Sequence, residues 1–384
     1  MLTQKELEAA VRKMIANLDE VNLYFIQKIA TQIKKIGEMN PTSIHRYTIM
    51  LEMGADVADI SGKLQAATRL TQQQMAVVYN TALQDNFTDP RFKAALAAHP
   101  LPREENQRLI QYTRNIAAQT SGALQNLSNT TAISVPYQQA IDKAILSVST
   151  GMTDYKSAMR QTIKDIGWAG MQVQYASGYR LDTAARQNII DGACQIAQHS
   201  ADEIGKALGY DAVELSAHLN SAPDHEPVQG HVFLLAEYAK MQAGMACVDV
   251  DGHHFAGFKR PIGEWNCGHF AAPFSTEYSV RKYSDHQLAA WITSNHAGVT
   301  IGSKEGLTLY QCSQMMRKIE TDTRRWKDVA IAARAAGDDD LRREAQQHIN
   351  ALSARYNLIA KQSGLSQRRD RMAVDGFKAI KVSA

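Results

Sequence analysis

The clearest helical pattern in the chain is TQKELEAAVRKMIANLDEVNLYFIQKIATQIKKIG, residues 3–37, and it indicates the fold class. Its apolar side chains recur at steps of three or four, which predicts one stripe on a helix of roughly 33 residues, about 50 Å long. Thr3 and Glu6 fit the capping-box spacing, and Gly37 sits where a left-handed C-cap would end the helix. The stripe consists of Leu7, Val11, Met14, Leu18, Val21, Phe25, Ile29, Ile33 and Ile36.

A helix of this length is typical of bundles, stalks and assembly contacts. Two interpretations of the stripe are open: a bundle helix that packs on its own chain, or a seam between molecules. Further helical patterns follow, with a break indicated at Gly54, and the chain to about residue 130 is predicted to be helical. The polar run 125–131, followed by Pro136, indicates a domain boundary.

The middle of the chain changes in character. Helical patterns continue over 137–209, and the alternation at 213–218 predicts a strand. Residues 218–269 hold six of the twelve histidines, two of the four cysteines and three prolines, which predicts loops and short strands.

Helices return after Phe274, where 309–336 and 341–362 are predicted to form a hairpin. The acidic turn between them, Gly337-Asp338-Asp339-Asp340, would stabilise the N-terminus of the second helix. The chain is therefore predicted to be a predominantly helical α+β protein in three parts. These are a helical N-terminal domain at 1–131, a central mixed domain with His/Cys-rich loops at 137–290, and a basic C-terminal helical hairpin and tail at 301–384.

The overall charge argues against a dedicated nucleic-acid binder, because 42 Lys and Arg against 39 Asp and Glu leave a net of +3. The distribution is uneven. Residues 301–384 hold 16 basic and 10 acidic side chains, a net of +6, so the remainder sums to −3. This basic tail is either a set of solvated helix faces or a surface that meets DNA phosphates or an acidic partner.

Several classes of protein are disfavoured. The four cysteines are too few and too scattered for a disulfide framework, which predicts a reducing compartment. The first residues do not resemble a signal peptide, and no stretch approaches the ~18 apolar residues of a membrane span, so we expect no membrane partner. The phosphate-binding loop GxxxxGK[ST], the zinc-protease motif HExxH and the hydrolase motif GxSxG are also missing.

Potential metal ligands are concentrated in the loop-rich segment. Thiolate and imidazole are ligands that Zn²⁺ prefers, and such a segment would gain folding energy from a metal. Three interpretations are open: a structural zinc site with His218, His225, Cys267 and His269 as candidate ligands, a set of hydrogen-bonded loop histidines, or a catalytic site. The full group is His218, His225, His231, Cys247, Asp249, Asp251, His253, His254, Cys267 and His269.

Three blocks carry a resemblance to a known family: YASGYRLDTAARQN at 175–188, HLNSAPDHEPVQGHVF at 218–233 and WNCGHFAAPF at 265–274. In this order they resemble the phage minor capsid protein 2 family, which is similar to the Mu-like and SPP1-like head morphogenesis minor proteins. The family-like positions are Tyr179, Arg180, Asp182, Arg186, His218, Pro223, Asp224, His225, Gln229, Gly230, Asn266, Cys267 and His269.

The resemblance implies a structural minor capsid protein of a tailed bacteriophage, with no enzymatic activity, present in the virion in few copies. It implies association with the portal protein and other head proteins during head assembly or DNA packaging, in the cytoplasm of the bacterial host. The basic C-terminal region makes packaged DNA a further candidate partner. The alternative function is a metal-dependent enzyme that acts on nucleic acid and is built on the same loops.

The first block contains two arginines six residues apart, Arg180 and Arg186. On a helix, side chains at this spacing point about 120° apart and cannot both face one ligand squarely. Each is therefore expected to pair with a carboxylate such as Asp182 or Asp224.

Overall fold

The protein is described here by a computed structural model that covers residues 4–38, 43–88, 96–97, 100–149, 155–173, 180–257, 260–263 and 267–382. Thr3 of the predicted capping box lies outside these residues, as do Tyr179 and Asn266 of the family-like positions. The structure is 69% helical and carries only small antiparallel sheets, which confirms the predicted helical α+β class. Among the described helices, none combines the length and the apolar character needed to cross a membrane.

The described residues form ten α-helices, nine strands and one short 3-10 helix. The helices are α1 Gln4–Glu38, α2 Ser43–Thr88, α3 Arg103–Thr130, α4 Ser134–Ser149, α5 Tyr155–Ala169, α6 Leu181–Ala207, α7 Leu235–Gln242, α8 Asp285–Asn295, α9 Leu309–Ala336 and α10 Asp339–Ser363. The strands are β1 Thr131–Ala132, β2 Gln172–Val173, β3 Ala212–Leu215, β4 Val232–Leu234, β5 Cys247–Val248, β6 His254–Phe255, β7 Ala271–Phe274, β8 Val299–Ile301 and β9 Lys304–Leu307, and the 3-10 helix is Arg369–Met372.

Helix α1 confirms the predicted apolar stripe. All nine stripe residues are buried, and Phe25, Ile29 and Ile33 are fully so, which is the packing of a bundle helix within its own chain. The predicted C-cap at Gly37 is wrong, because the helix continues to Glu38. A Cβ at Gly37 would lie 2.6 Å from the Cε atom of Met159, so this glycine allows a close approach of α5.

Two other local predictions are corrected. Helix α2 runs through Gly54 without a break, because one helical glycine costs only about 1 kcal/mol and the helix has 46 residues. The hairpin β8–β9 was not predicted, although Gly302-Ser303 between its strands is a two-residue turn signal and Gly302 has φ +61°. The polar run 125–131 forms the end of α3 and the start of β1.

The chain forms two compact units, each drawn from three separate stretches. The first unit comprises Met1–Val11, Gln74–Gly122 and Gln187–Gln314. The second unit comprises Arg12–Gln73, Ala123–Arg186 and Met315–Ala384. The three consecutive segments expected from the sequence stay a prediction.

The second unit contains the predicted helical hairpin. Its helices α9 and α10 flank a turn in which Gly337 has φ +75°, and the Asp338 carboxylate caps α10 by accepting the backbone N–H of Leu341 at 2.9 Å. The acidic turn therefore stabilises the second helix as expected. The same carboxylate also accepts two hydrogen bonds from the Arg160 guanidinium of α5, at 2.8 and 3.0 Å.

The first unit contains a three-stranded antiparallel sheet in the order β4-β3-β7. Strand β3 confirms the predicted strand but ends at Leu215, which pairs with Ala271 of β7. Val213 and Leu215 alternate onto one face, where they pack with buried apolar residues that include Phe233. A Cβ at Gly205 would lie 2.6 Å from the Cβ of Pro273, so α6 lies directly against β7.

The buried stripe of α1 can be tested by truncation. We expect Ile29→Ala to lower the free energy of unfolding by about 2–5 kcal/mol, because a fully buried side chain leaves a cavity. Lys34→Ala, on the exposed side of the same helix, should change it by less than about 0.5 kcal/mol. Urea denaturation checks both, and equal losses in the two variants would contradict the packing.

Candidate functional site

The candidate site lies where β3 ends and β7 begins in the first unit. The backbone N–H of Ser216 donates to the carbonyl of Phe270 at 2.7 Å, and the N–H of Phe270 donates to the Ser216 hydroxyl at 2.8 Å. On the other side of β3, the N–H of Leu215 donates to the carbonyl of His231 at 3.0 Å. These bonds bring the loop 216–230 beside the residues that precede β7.

The loop 216–230 is shaped by short-range hydrogen bonds. The N–H of His225 donates to the carbonyl of Ala222 at 3.0 Å, and the N–H of Gln229 donates to the carbonyl of His225 at 3.2 Å. Gly230, with φ +74°, closes the loop by donating to the carbonyl of Leu215 at 3.0 Å. This arrangement fixes the positions of the His225 and Gln229 side chains.

Three predicted ligands converge in what we call the His–Cys cluster: His225, Cys267 and His269. The Cys267 Sγ atom lies 3.5 Å from Nδ1 of His225 and 3.7 Å from Nδ1 of His269. Both histidines are buried, and the cysteine is partly buried. His218, the fourth predicted ligand, stacks on the His269 ring with centroids 4.5 Å apart and planes inclined by 25°.

A second set of contacts holds the two histidine rings through their Nε2 atoms. The Nε2 atom of His225 lies 2.7 Å from the carbonyl oxygen of Arg260, whose guanidinium makes two 3.0 Å bonds to Asp224. The Nε2 atom of His269 lies 3.2 Å from the Ser221 hydroxyl and 3.4 Å from the Oε1 atom of Gln229.

The cluster shifts the pKa values of its own members. Burial, together with the nearby His218, His225 and Arg260, lowers the pKa of His269 to about 3. Burial opposes ionisation of Cys267, yet hydrogen bonds with His225 and with the backbone amides of Gly263 and His269 bring the thiol pKa below its usual value. Burial likewise disfavours the charged form of His225, but Cys267 and the Arg260 carbonyl raise its pKa.

A second group, the Asp249 cluster, consists of His231, Asp249 and His253. The Asp249 Oδ2 atom lies 2.7 Å from Nδ1 of His231 and 2.9 Å from Nδ1 of His253. Its Oδ1 atom accepts the backbone N–H groups of Asp251 and His253 at 3.0 and 2.8 Å. Burial would raise the pKa of Asp249, but these hydrogen bonds outweigh it and lower the pKa.

The remaining predicted ligands lie elsewhere. Cys247 packs among Val213, Phe233 and other buried apolar residues, so its candidacy as a metal ligand is not supported by its position. His254 is exposed on β6, and Asp251 pairs with Arg281 at 3.0 Å. The sequence did not single out Gln198 of α6, whose side-chain amide makes 2.8 and 2.9 Å bonds to the backbone of Ala271 and anchors β7.

The arginine block of the sequence belongs to the second unit and forms a buried ion-pair network. Arg180 contacts Asp182 at 3.1 Å, as predicted, and also Asp328 at 2.7 Å. Arg324 closes the network with a 2.6 Å contact to Asp182. Burial alone would raise the pKa of Asp182, but Arg180 and Arg324, helped by Arg186, hold it well below its usual range.

Comparison with known proteins identifies the class of this chain as a structural protein of phage particles. The match is to the family described as phage minor capsid protein 2 and spans residues 2–357, nearly the whole chain. The chain belongs to this family, which confirms the resemblance of the three sequence blocks. No curated protein and no solved structure shows a significant match.

Removal of Arg180 should destabilise the second unit strongly. We expect Arg180→Met to lower the free energy of unfolding by about 3–5 kcal/mol, because Asp182 and Asp328 would lose a buried partner. Arg343→Met is the matched control, since Arg343 pairs with Asp340 at an exposed position and should cost less than about 1 kcal/mol. Urea denaturation separates the two, and similar losses would contradict the network.

The network also predicts a pH dependence. Asp19 of α1 lies close to this network, and its pKa is raised to about 7. Burial and the charges of Asp182 and Asp328 raise the pKa, and they outweigh Arg324 and Arg180, which lower it. The folded state therefore binds more protons than the unfolded state between about pH 4 and 7, and stability falls as pH rises through this window.

Replacement of the carboxyl group should remove that fall. We expect Asp19→Asn to be more stable than the parent chain at pH 8 and equally stable near pH 4. Between these values, ionisation of Asp19 should lower the free energy of unfolding of the parent by at most about 1.4 kcal/mol per pH unit. Denaturation curves at several pH values measure the difference. Parallel profiles for parent and variant would show that Asp19 does not titrate in this range.

Proposed function

We propose that this minor capsid protein acts at the portal vertex of a tailed-phage head. It contacts the portal protein, other head proteins and the packaged DNA, and it joins the head during assembly in the host cytoplasm. Its role is structural and involves no catalytic step. The observation that carries the DNA contact is the distribution of charge between the two compact units.

The near-neutral chain separates into oppositely charged units. The second unit holds 29 Lys and Arg against 19 Asp and Glu, a net of +10. The first unit holds 13 against 20, a net of −7. The two values sum to the net of +3 for the whole chain. Ion pairs within a unit cancel in such a count, so the surplus of ten cations is not neutralised by that unit's own carboxylates.

The surplus includes exposed side chains of the C-terminal region. A double-stranded DNA carries one phosphate charge per about 1.7 Å of its axis, and cations that neutralise these phosphates gain affinity by releasing counterions. The acidic first unit would be repelled by the same DNA, which favours protein partners for it. The exposed cations of the C-terminal region include Arg334, Arg355, Lys361, Arg369, Lys378 and Lys381.

Charge reversal tests the DNA contact. We expect Arg355→Glu with Lys361→Glu to weaken binding of double-stranded DNA and to reduce the slope of log K against log salt by about 0.9 for each lost phosphate contact. Lys206→Glu with Lys304→Glu makes the same change of charge at exposed positions of the first unit and should have a smaller effect. Equal effects of the two pairs would contradict a contact through the second unit.

The position in the particle requires a separate experiment. Cross-linking within purified particles, followed by mass spectrometry, should recover links between this chain and the portal protein. Links to tail proteins alone would overturn the portal assignment. The result does not depend on DNA affinity, so the two parts of the proposal can fail separately.

The alternative function, a metal-dependent enzyme that acts on nucleic acid, rests on the His–Cys cluster. Incubation of the full chain with supercoiled plasmid and with single-stranded DNA, in the presence of Zn²⁺ or Mg²⁺, tests it. Metal-dependent cleavage that disappears in Cys267→Ser would overturn the purely structural role. Cleavage that persists in this variant would indicate a contaminating nuclease.

A further inference from the structure

We infer that His225, Cys267 and His269 bind one Zn²⁺ ion through Nδ1, Sγ and Nδ1. The ion would join the loop 216–230 to the residues that precede β7. The inference does not depend on the portal or DNA contacts proposed above.

The two sulfur–nitrogen distances within the cluster fit a tetrahedral zinc ion. With Zn–S near 2.3 Å and Zn–N near 2.0–2.1 Å, two ligands of a tetrahedral ion stand about 3.6 Å apart for a sulfur–nitrogen pair. The two observed Sγ to Nδ1 distances are 3.5 and 3.7 Å. All three ligand atoms lie within 4.8 Å of one another.

The contact between His225 and the Arg260 carbonyl fixes which ring nitrogen carries a proton. A backbone carbonyl can only accept a hydrogen bond, so the 2.7 Å contact with the Arg260 carbonyl requires a proton on Nε2 of His225. In the neutral ring, Nδ1 then carries a lone pair, and this lone pair points at the sulfur of Cys267. Histidine ligands of metals are held by a second contact of this kind.

The same argument applies to His269 through Gln229. The backbone N–H of His218 donates to the Oε1 atom of Gln229 at 3.0 Å, which identifies that atom as the amide oxygen. An amide oxygen accepts, so the contact with Gln229 is a hydrogen bond when Nε2 of His269 carries the proton. The Ser221 hydroxyl at 3.2 Å accepts from Nε2 in that tautomer and donates to it in the other. With the proton on Nε2, Nδ1 of His269 also directs a lone pair at the sulfur.

With both imidazole protons on Nε2, hydrogen bonds alone leave this arrangement incomplete. Two nitrogen lone pairs then face one sulfur atom, and a single proton is available between the three atoms. It satisfies one nitrogen–sulfur contact and leaves the other as two facing lone pairs in a buried place, which is unfavourable. A divalent cation satisfies all three atoms at once.

The Asp249 cluster provides a contrast within the same unit. There the central atom is a carboxylate oxygen, which accepts hydrogen bonds, so the Nδ1 atoms of His231 and His253 can both donate to it. All four contacts to the Asp249 carboxylate are therefore hydrogen bonds. Its residue types resemble a metal site, but no atom of the group requires an ion.

The three ligands leave one tetrahedral position, which we assign to water. A metal bound to Nδ1 lies in the plane of its imidazole ring, whereas His218 lies over the face of the His269 ring. A nitrogen of His218 cannot therefore come within 2.1 Å of the ion without leaving the stack. Water as the fourth ligand is also the arrangement of catalytic zinc centres, and the nuclease assay above tests that possibility.

The experiment measures metal content and ligand chemistry on the full chain. After purification with Zn²⁺ under reducing conditions, we expect about one zinc per chain by elemental analysis and a lower melting temperature after chelation. With Co²⁺ in place of Zn²⁺, a thiolate-to-cobalt charge-transfer band should appear and should be lost in Cys267→Ser. Gln229→Ala should weaken zinc affinity roughly 10–100-fold, as expected for a residue that only positions a ligand.

His253→Ala is the matched control, because it removes a histidine from the Asp249 cluster, and His254→Ala removes an exposed one. Both should keep the full zinc content. Absence of zinc and of the cobalt band in the parent chain would overturn the inference, and so would loss of zinc in His253→Ala with retention in Cys267→Ser. If Cys267→Ser fails to fold, the cobalt spectrum of the parent chain still shows whether a thiolate binds the metal.

Discussion

The second unit depends on the neutralisation of a buried arginine. Arg180 is only 6% exposed, and removal of its charge from water is tolerated because Asp182 and Asp328 lie within 3.1 Å of it. Asp182 lies in the first turn of α6, Asp328 lies in the second half of α9, and Arg324, one turn earlier in α9, binds Asp182 in return. These contacts fix the position of α9 against the start of α6. Asn22 of α1 joins them with a 3.5 Å contact to Asp328.

The elements that the sequence predicted well are those in which local chemistry and burial agree. In α1 the spacing of nine apolar residues matches a helical period, and all nine are buried. At the α9–α10 hairpin, a glycine and an aspartate at the turn give both the left-handed residue and the cap. The predicted break at Gly54 was wrong because a single glycine ends a helix only where no other interaction stabilises the helix. Neighbouring helices can outweigh its small intrinsic cost.

The residue types of the candidate site could be predicted from the sequence, but their arrangement in space could not. Ten ligand-type residues stood out in the sequence, but their spacing does not show that Cys247 is part of the apolar core whereas Cys267 lies between two histidines. Which of these residues join the His–Cys cluster and which join the apolar core depends on the pairing of β3 with β7. This pairing is a long-range contact that local sequence does not encode. Gln229 was singled out in the sequence only as a family-like position, and Gln198 was not singled out at all. The contacts of both depend on the same strand pairing.

The order of synthesis gives the discontinuous second unit a further property. Asp328 follows Arg180 by 148 residues in the chain. At translation rates of about 5–20 residues per second, these partners are made roughly 7–30 s apart. During that interval Arg180 lacks Asp328 and Asp182 lacks Arg324, and the second unit lacks the helices α9 and α10. The buried ion-pair network can therefore close only late in synthesis, after α9 has been made.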